Sequence, residues 1–429
     1  MNRKCIYITE YKENIFFEEN CIYIIKGDIS FNNTSISLKK NCILRFEDGI
    51  IRNGTLIGLH TIIDAPSYMQ IFDNINIIGT WGNIEAYAEW WGAIGDGDTD
   101  DCLALNKAFQ STFIKIHLFN KHYAVSSYGN NADCIALSVI NSKIIEGEVS
   151  NEIGTTIFTK GSLTFNNLCQ LQSNGITISN VQFQGNNLVE TLIYASDNSG
   201  KKFISHIQLI NVRAFNCNKT CIKLVTFLST LTNVYAGFSN IGISITGNED
   251  TQIRGTSTLL KQCYVCYTKK IAYEIRLMSY CKLMLCCSDF NNSKFNDTEK
   301  YYVNDGYSYY IWGSDTISID TCGCEMAYNS IYIDLGRSIK INNFSEWSSL
   351  DKTANKHITA NQILIKNSFG LSLDDCFMGT YFSAAKTMTI SNSQNISLNR
   401  ILMRKPDGHM SDTFLSEDNC FINNSNVEF

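Results

Sequence analysis

Residues 176–183 read ITISNVQF, residues 207–214 IQLINVRA and residues 229–236 STLTNVYA, three alternating segments that each break at a polar residue. Six more follow: TLLKQCYV from Thr258, LMLCCSDF from Leu283, ISIDTCGC from Ile317, IKINNFSE from Ile339, LSLDDCFM from Leu371 and ISLNRILM from Ile396. Successive starts lie 31, 22, 29, 25, 34, 22, 32 and 25 residues apart, a loose period with insertions of variable length. Stacked, the third position is aliphatic nine times: Ile178, Leu209, Leu231, Leu260, Leu285, Ile319, Ile341, Leu373 and Leu398. The sixth is Val181, Val212, Val234, Cys263, Ser288, Cys322, Phe344, Cys376 and Ile401. The fifth includes Asn180, Asn211, Asn233, Asn343 and Asp375, and the fourth is mostly polar, with Lys261, Asp320, Asn342, Asp374 and Asn399.

Alternation with period two puts the first and third positions on one strand face and the fourth on the other. Returning the sixth position to the inside needs a bend at the fifth, which Asn supplies because it tolerates left-handed backbone. Constant inward columns with unequal spacings indicate a parallel β-solenoid, since insertions bulge outward without disturbing the stack. A β-sandwich would not repeat one inward column nine times. The fold class expected is all-β. Only 2 Pro in 429 residues fit a ladder in which every strand donates, and 46 Asn fit a chain that turns often.

Composition excludes several classes. Charged residues make up 18%, aromatics 12% and the formal net charge is −6, so neither a disordered tail nor a non-specific nucleic-acid binder is expected. No apolar run reaches the ~18 residues of a membrane helix, so no membrane insertion is expected. The start, MNRKCIYITEYKENIFFEEN, lacks the apolar core of a signal peptide, and the 17 Cys are therefore expected as reduced thiols.

The N-terminal part is less regular. SISLKKNCILRFEDGIIRNGTLIG (Ser35 to Gly58) and MQIFDNINIIGTWG (Met69 to Gly82) alternate and end in Gly. NIEAYAEWWGAIGDGDTDDCLALNKAFQS then breaks the pattern with a glycine-rich turn, a run of acids and a helical stretch. Asp100 reads as its N-cap, with Leu103, Leu105, Ala108 and Phe109 as apolar contacts. Such a helix covers an open solenoid end. The expected division is residues 1–85, a β-rich region, and 86–429, the solenoid.

Trp91-Gly92-Ala93-Ile94-Gly95-Asp96-Gly97-Asp98-Thr99-Asp100-Asp101 resembles the FGAxGDGxTDDT signature that opens many right-handed parallel β-helices, including pectate-lyase-like proteins, phage tailspikes and phage-borne polysaccharide depolymerases. Leu105-Asn106-Lys107-Ala108 fits the capping helix of that family. The resemblance implies a right-handed parallel β-helix with a short N-terminal capping helix. It assigns the Gly-Asp-Gly turn to the helix entry and not to catalysis. The turn also lacks the spacing and the terminal Glu of an EF-hand.

Hydrolysis of a glycan needs two carboxylates, about 5–5.5 Å apart for retention or 6.5–9.5 Å for inversion. Asp320 and Asp374 share the outward fourth column two rungs apart, which predicts roughly 9–10 Å. Asn342 lies between them and Trp347 close by, so Asp320 and Asp374 are the expected catalytic pair. Polygalacturonase-like members carry Asp-Asp followed by Gly-His-Gly; Asp374-Asp375 is similar to the first, but His409 stands in Gly408-His409-Met410. A lyase site could be assembled from Lys261, Glu274 and Arg276, whose spacing does not single them out. The insertion before Ile317 holds Tyr301, Tyr302, Tyr307, Tyr309, Tyr310 and Trp312 among Asn and Asp. Aromatic faces beside hydrogen-bonding groups suit sugar rings, and packing on the solenoid or a neighbouring chain is the other reading. The expected glycan-binding residues are Tyr307, Tyr309, Tyr310, Trp312, Asn342 and Trp347.

Glu346 interrupts an apolar eighth column and should be paired or turned outward. Cys263-Tyr264-Val265-Cys266 has CxxC spacing, but residues three apart on a strand face opposite ways, so thiol packing is expected over zinc. No metal or cofactor is expected. The resemblance implies a phage tailspike or tail-fibre protein, a homotrimer assembled in the host cytoplasm and carried in the virion with other tail proteins. Its partner would be a bacterial surface polysaccharide, bound and cleaved or only bound. The alternatives are a free polysaccharide lyase or glycoside hydrolase, and a purely structural virion protein.

Overall fold

A computed structural model describes residues 3–12, 14–149, 154–196, 203–289, 306–325, 327, 329–347, 361–379, 386–404, 414–417 and 422–428. The chain is a right-handed parallel β-helix, with one α-helix among the described residues, and it divides into two compact units, Met1–Gln184 and Gly185–Phe429. Among the described residues no helix is long and apolar enough to cross a membrane.

In the N-terminal unit, six strands between Cys5 and Trp81 form one parallel ladder. A second begins at Glu85–Tyr87 and continues through Lys115–Leu118 to Lys143–Gly147. The helix Cys102–Gln110 packs between the strand Phe72–Trp81 and the strand Ile135–Val139. Its Asn106 amide donates to Ala136 O at 2.7 Å and accepts from Ser138 N at 3.0 Å, so a polar side chain replaces a strand on that flank. Leu105, Ala108 and Phe109 are buried as expected, but Leu103 is 58% exposed because it falls on the opposite face.

The glycine–aspartate turn is structural. Gly92, Gly95 and Gly97 have φ of 90°, 66° and 80°, which a side chain would strain. Asp96 accepts from the N–H groups of Asp98 and Thr99 at 2.8 and 2.7 Å. The N-cap position belongs to Asp101, not Asp100. Asp101 turns back to accept from Ile94 and Gly95 at 2.7 and 3.1 Å, leaving Asp100 to take the Cys102 N–H at 3.2 Å. Burial pushes the Asp101 carboxyl up to about 6 against those two donors.

In the C-terminal unit the inward third column runs Leu209, Leu231, Leu260, Leu283, Ile319, Ile341, Leu373, Leu398 in successive register. Leu283 therefore replaces Leu285, and Cys286, not Ser288, continues the sixth column between Cys263 and Cys322. That slip of two residues sends Leu285 out to the bend and turns Cys286 into the core, while Asp289 stays on the outer face. The bend column is uniform: Asn211, Asn233, Gln262, Leu285, Thr321, Asn343, Asp375 and Arg400 all have φ between 51° and 54°. Asn180 of the N-terminal unit, with φ 59°, has the same conformation.

The sixteen described cysteines are free thiols, and Cys263, Cys286, Cys322 and Cys376 are core filler. Glu346 does not turn outward. It is 1% exposed, in register between Cys324 and Met378.

Candidate functional site

On the C-terminal unit, strands Tyr264–Arg276, Cys287–Asp289, Gly323–Glu325, Ser345–Trp347 and Phe369–Gly379 lie side by side. One outward column is Tyr264, Cys287, Gly323, Ser345, Phe377; the next is Cys266, Asp289, Glu325, Trp347, Gly379. The first has an aromatic at each end and three small residues between. At about 4.8 Å per rung, the two aromatics stand roughly 19 Å apart over a low floor. The second column places two carboxylates on neighbouring rungs, with the Trp347 indole one rung further, 51% exposed. Trp347 leans on Phe377 at 4.8 Å between ring centroids. The Tyr264 hydroxyl donates to Asp289, while its ring stacks on Tyr235 at 4.9 Å and 11°. Burial, then the Asp289 charge, raises the Tyr264 phenol above its ordinary pKa and keeps it a donor.

Asp289 and Glu325 do not feature among the expected site residues. Starting the fifth segment at Cys281 would have exposed them, because Asp289, Glu325 and Trp347 then fall in one ninth column.

Asp320, Asn342 and Asp374 do share an outward column on successive rungs. Each acid is engaged. Lys282 Nζ lies 3.2 Å from Asp320 and, by that hydrogen bond first, holds its carboxyl below the usual range. Asp374 accepts from Asn399 and from Ser372 at 3.3 Å, with Arg400 at 3.9 Å.

The aromatic strand Tyr307–Trp312 splits between inside and outside. Tyr309 is 1% exposed, stacks on Tyr273 at 5.1 Å and donates to Cys286 O and Gly323 O at 2.6 and 2.8 Å. The expectation that Tyr309 meets a glycan is corrected: alternation turns it into the core, where its hydroxyl ties two rungs. Tyr310 faces out and stacks on Tyr332 at 4.9 Å and 6°, and burial raises its phenol pKa. Tyr307 packs against the same Tyr332 ring at 5.0 Å. The Arg276 guanidinium stands over Trp312 at 5.1 Å and contacts Glu249 and Glu274 at 3.3 and 3.6 Å. Glu274 also accepts from Ser244 at 2.6 Å. Register thus joins Glu274 and Arg276 to Tyr310 and Trp312, while Lys261 belongs to the column of Asp320. Tyr301 and Tyr302 lie outside the described residues.

No known family profile matches the sequence, and no curated protein matches it. Solved structures do match. The gp42 tailspike of Acinetobacter phage vb_AbaP_AS12 superimposes with a TM-score of 0.55 at 15% identity, over 78% of this chain and 59% of that one. The enzymatically active domain of tailspike protein 2 from bacteriophage CBA120 gives 0.52 at 12% identity, over 78% and 46%. ORF18 of Geobacillus virus E2 gives 0.51 at 15%, over 75% and 62%. The chain spans less than two thirds of each of these structures, and at such identities the likeness is one of fold.

Proposed function

We propose that this chain, which has the right-handed parallel β-helix of phage tailspikes, binds a bacterial surface polysaccharide in the trough between Tyr264 and Phe377 and cleaves it there. The reading rests on one observation, the Asp289 and Glu325 carboxylates on adjacent rungs of the trough wall. A rung of about 4.8 Å is close to the 5–5.5 Å of a retaining glycosidase. Asp289, fixed by the Tyr264 hydroxyl, attacks the anomeric carbon as Glu325 gives its proton to the leaving oxygen. Glu325 then takes a proton from the water that releases the sugar from Asp289. Trp347 offers a sugar-stacking face beside them.

Asp320 and Asp374, two rungs or about 10 Å apart, are the alternative pair, with Asn342 between them. Their cationic neighbours suit them better to sugar hydroxyls than to acid catalysis. Tyr307, Tyr310 and Trp312 are read as a second glycan-contacting face. In the virion the chain would act as a homotrimer joined to other tail proteins through residues 1–85.

The test is to incubate the purified chain with host capsule and measure reducing ends and the ultraviolet absorbance of unsaturated uronates. Reducing ends alone support hydrolysis, and unsaturated products support a lyase instead. Neither product, with cell binding retained, would leave a binding protein and reject cleavage.

A further inference from the structure

Three stacked strands of the N-terminal unit, Glu85–Tyr87, Lys115–Leu118 and Lys143–Gly147, gather one imidazole and two carboxylates, and Glu148, just past the last strand, adds a third. His117 is register partner of Tyr87 and Glu146, and Lys115 of Glu85. One ligand atom each from Glu85, His117 and Glu146 lie within 4.8 Å of one another, and all three residues are half-buried. Some thirty residues separate each from the next, so only the register brings them together.

The imidazole stands between two carboxylates. His117 Nε2 is hydrogen-bonded with Glu148 Oε1 at 3.1 Å, and the other Glu148 oxygen accepts the Asn120 N–H at 2.9 Å. On the other side, His117 Nδ1 is 3.4 Å from Glu85 Oε1. His117 therefore has Glu148 behind Nε2 and presents Nδ1 on the side of Glu85. A carboxylate behind one nitrogen is how metal-ligating histidines are oriented.

The charges point the same way. The Lys115 ammonium lies 3.1 Å from Glu85 and contacts Glu146, so positive charge already collects between those two acids. One ammonium against Glu85, Glu146 and Glu148 leaves two negative charges, which a divalent ion would balance. Lys115 stands on a flexible stem and is partly exposed, free to yield the carboxylates to such an ion.

We propose that Glu85, His117 and Glu146 form a divalent-cation site, with Glu148 orienting the imidazole and Lys115 competing for the carboxylates. One nitrogen and two oxygens suit Mn²⁺, Co²⁺ or Zn²⁺ better than Ca²⁺. Bound there, the ion ties three successive rungs and stiffens the N-terminal unit, whatever the C-terminal trough does.

Mn²⁺ is the probe, because the chain's thiols would capture softer ions. The full chain, stripped with chelator, is titrated by calorimetry and by loss of the free-Mn²⁺ resonance signal. One equivalent should bind, and excess Mn²⁺ should raise the unfolding midpoint. His117→Ala, Glu85→Gln and Glu146→Gln should each weaken binding by at least ~10-fold, while Lys115→Met should tighten it several-fold. Circular dichroism of each variant separates loss of the site from loss of the fold. Absence of stoichiometric uptake below millimolar Mn²⁺ would overturn the proposal and leave His117 as an imidazolium held by its two carboxylates. Affinity unchanged in His117→Ala or Glu146→Gln would overturn it equally.

Discussion

Asp289 and Glu325 are register partners on neighbouring parallel strands, and the Tyr264 hydroxyl donates to the first of them. Both acids face outward from a strand whose central residue points into the core, so neither is needed for packing. Asp289→Asn and Glu325→Gln should therefore fold normally and lower the rate of capsule cleavage by ~10²–10⁴-fold. Asp320→Asn and Asp374→Asn, measured beside them for reducing-end release, should weaken binding only. Full activity in the first two variants with loss in the second two would transfer the chemistry to the Asp320 column.

Trp347 and Trp312 present faces of indole on separate strands of the C-terminal unit. Trp347→Ala should reduce affinity for capsule oligosaccharide by about tenfold, as for a truncated aromatic anchor worth ~1–2 kcal/mol. Trp312→Ala should have a smaller effect, because Arg276 covers part of that ring. Calorimetry with a non-cleaved Asp289→Asn background would measure both. Equal affinity for the parent and Trp347→Ala would remove the trough from the binding surface.

Leu285 occupies a bend with φ 54°, where most of the aligned residues are polar and three are Asn. A leucine held in left-handed backbone costs ~1–2 kcal/mol relative to a permissive residue. With 44% of its surface exposed it contributes little core. Leu285→Asn should raise stability by about 0.5–1 kcal/mol, seen as a higher unfolding midpoint. A lower midpoint would mean that the side chain packs against something essential.

Asp101 has its carboxyl raised by burial from 3.8 to about 6. A folded-state pKa above the unfolded one contributes stability that is complete below about pH 4 and fades as pH rises through 6. Asp101→Asn removes that titration. The stability of the parent relative to the variant should therefore fall between pH 4 and pH 6.5, by roughly 2–3 kcal/mol at most. A flat difference across that window would show that the two backbone donors from Ile94 and Gly95 offset the burial.

Lys143 buries its ammonium against Ser111 O at 2.9 Å and Phe113 O, just beyond the helix Cys102–Gln110. Lys143→Met leaves both carbonyls without that donor and should cost ~1–3 kcal/mol. Thermal unfolding of the variant checks this; a midpoint within error of the parent would show that water replaces the ammonium.

Sequence by itself determined the repeating unit. Nine aliphatic positions and a polar bend column are local facts, because alternation and left-handed tolerance belong to single residues and their neighbours. They led directly to stacked parallel strands, and the Gly92 to Asp101 turn marked where the helix would begin. Tertiary structure alone decided which side chains meet. The two-residue slip at Leu283 moved Leu285 out to the bend, turned Cys286 into the core and hid Asp289 beside Glu325. Tyr309 and Tyr310 are adjacent in sequence, yet one is core and the other surface. Glu85, His117 and Glu146 converge only because three rungs stack in one register. In a parallel solenoid each rung is written in consecutive residues, but the outward columns form between rungs, and loop lengths that the periodicity leaves free set their register.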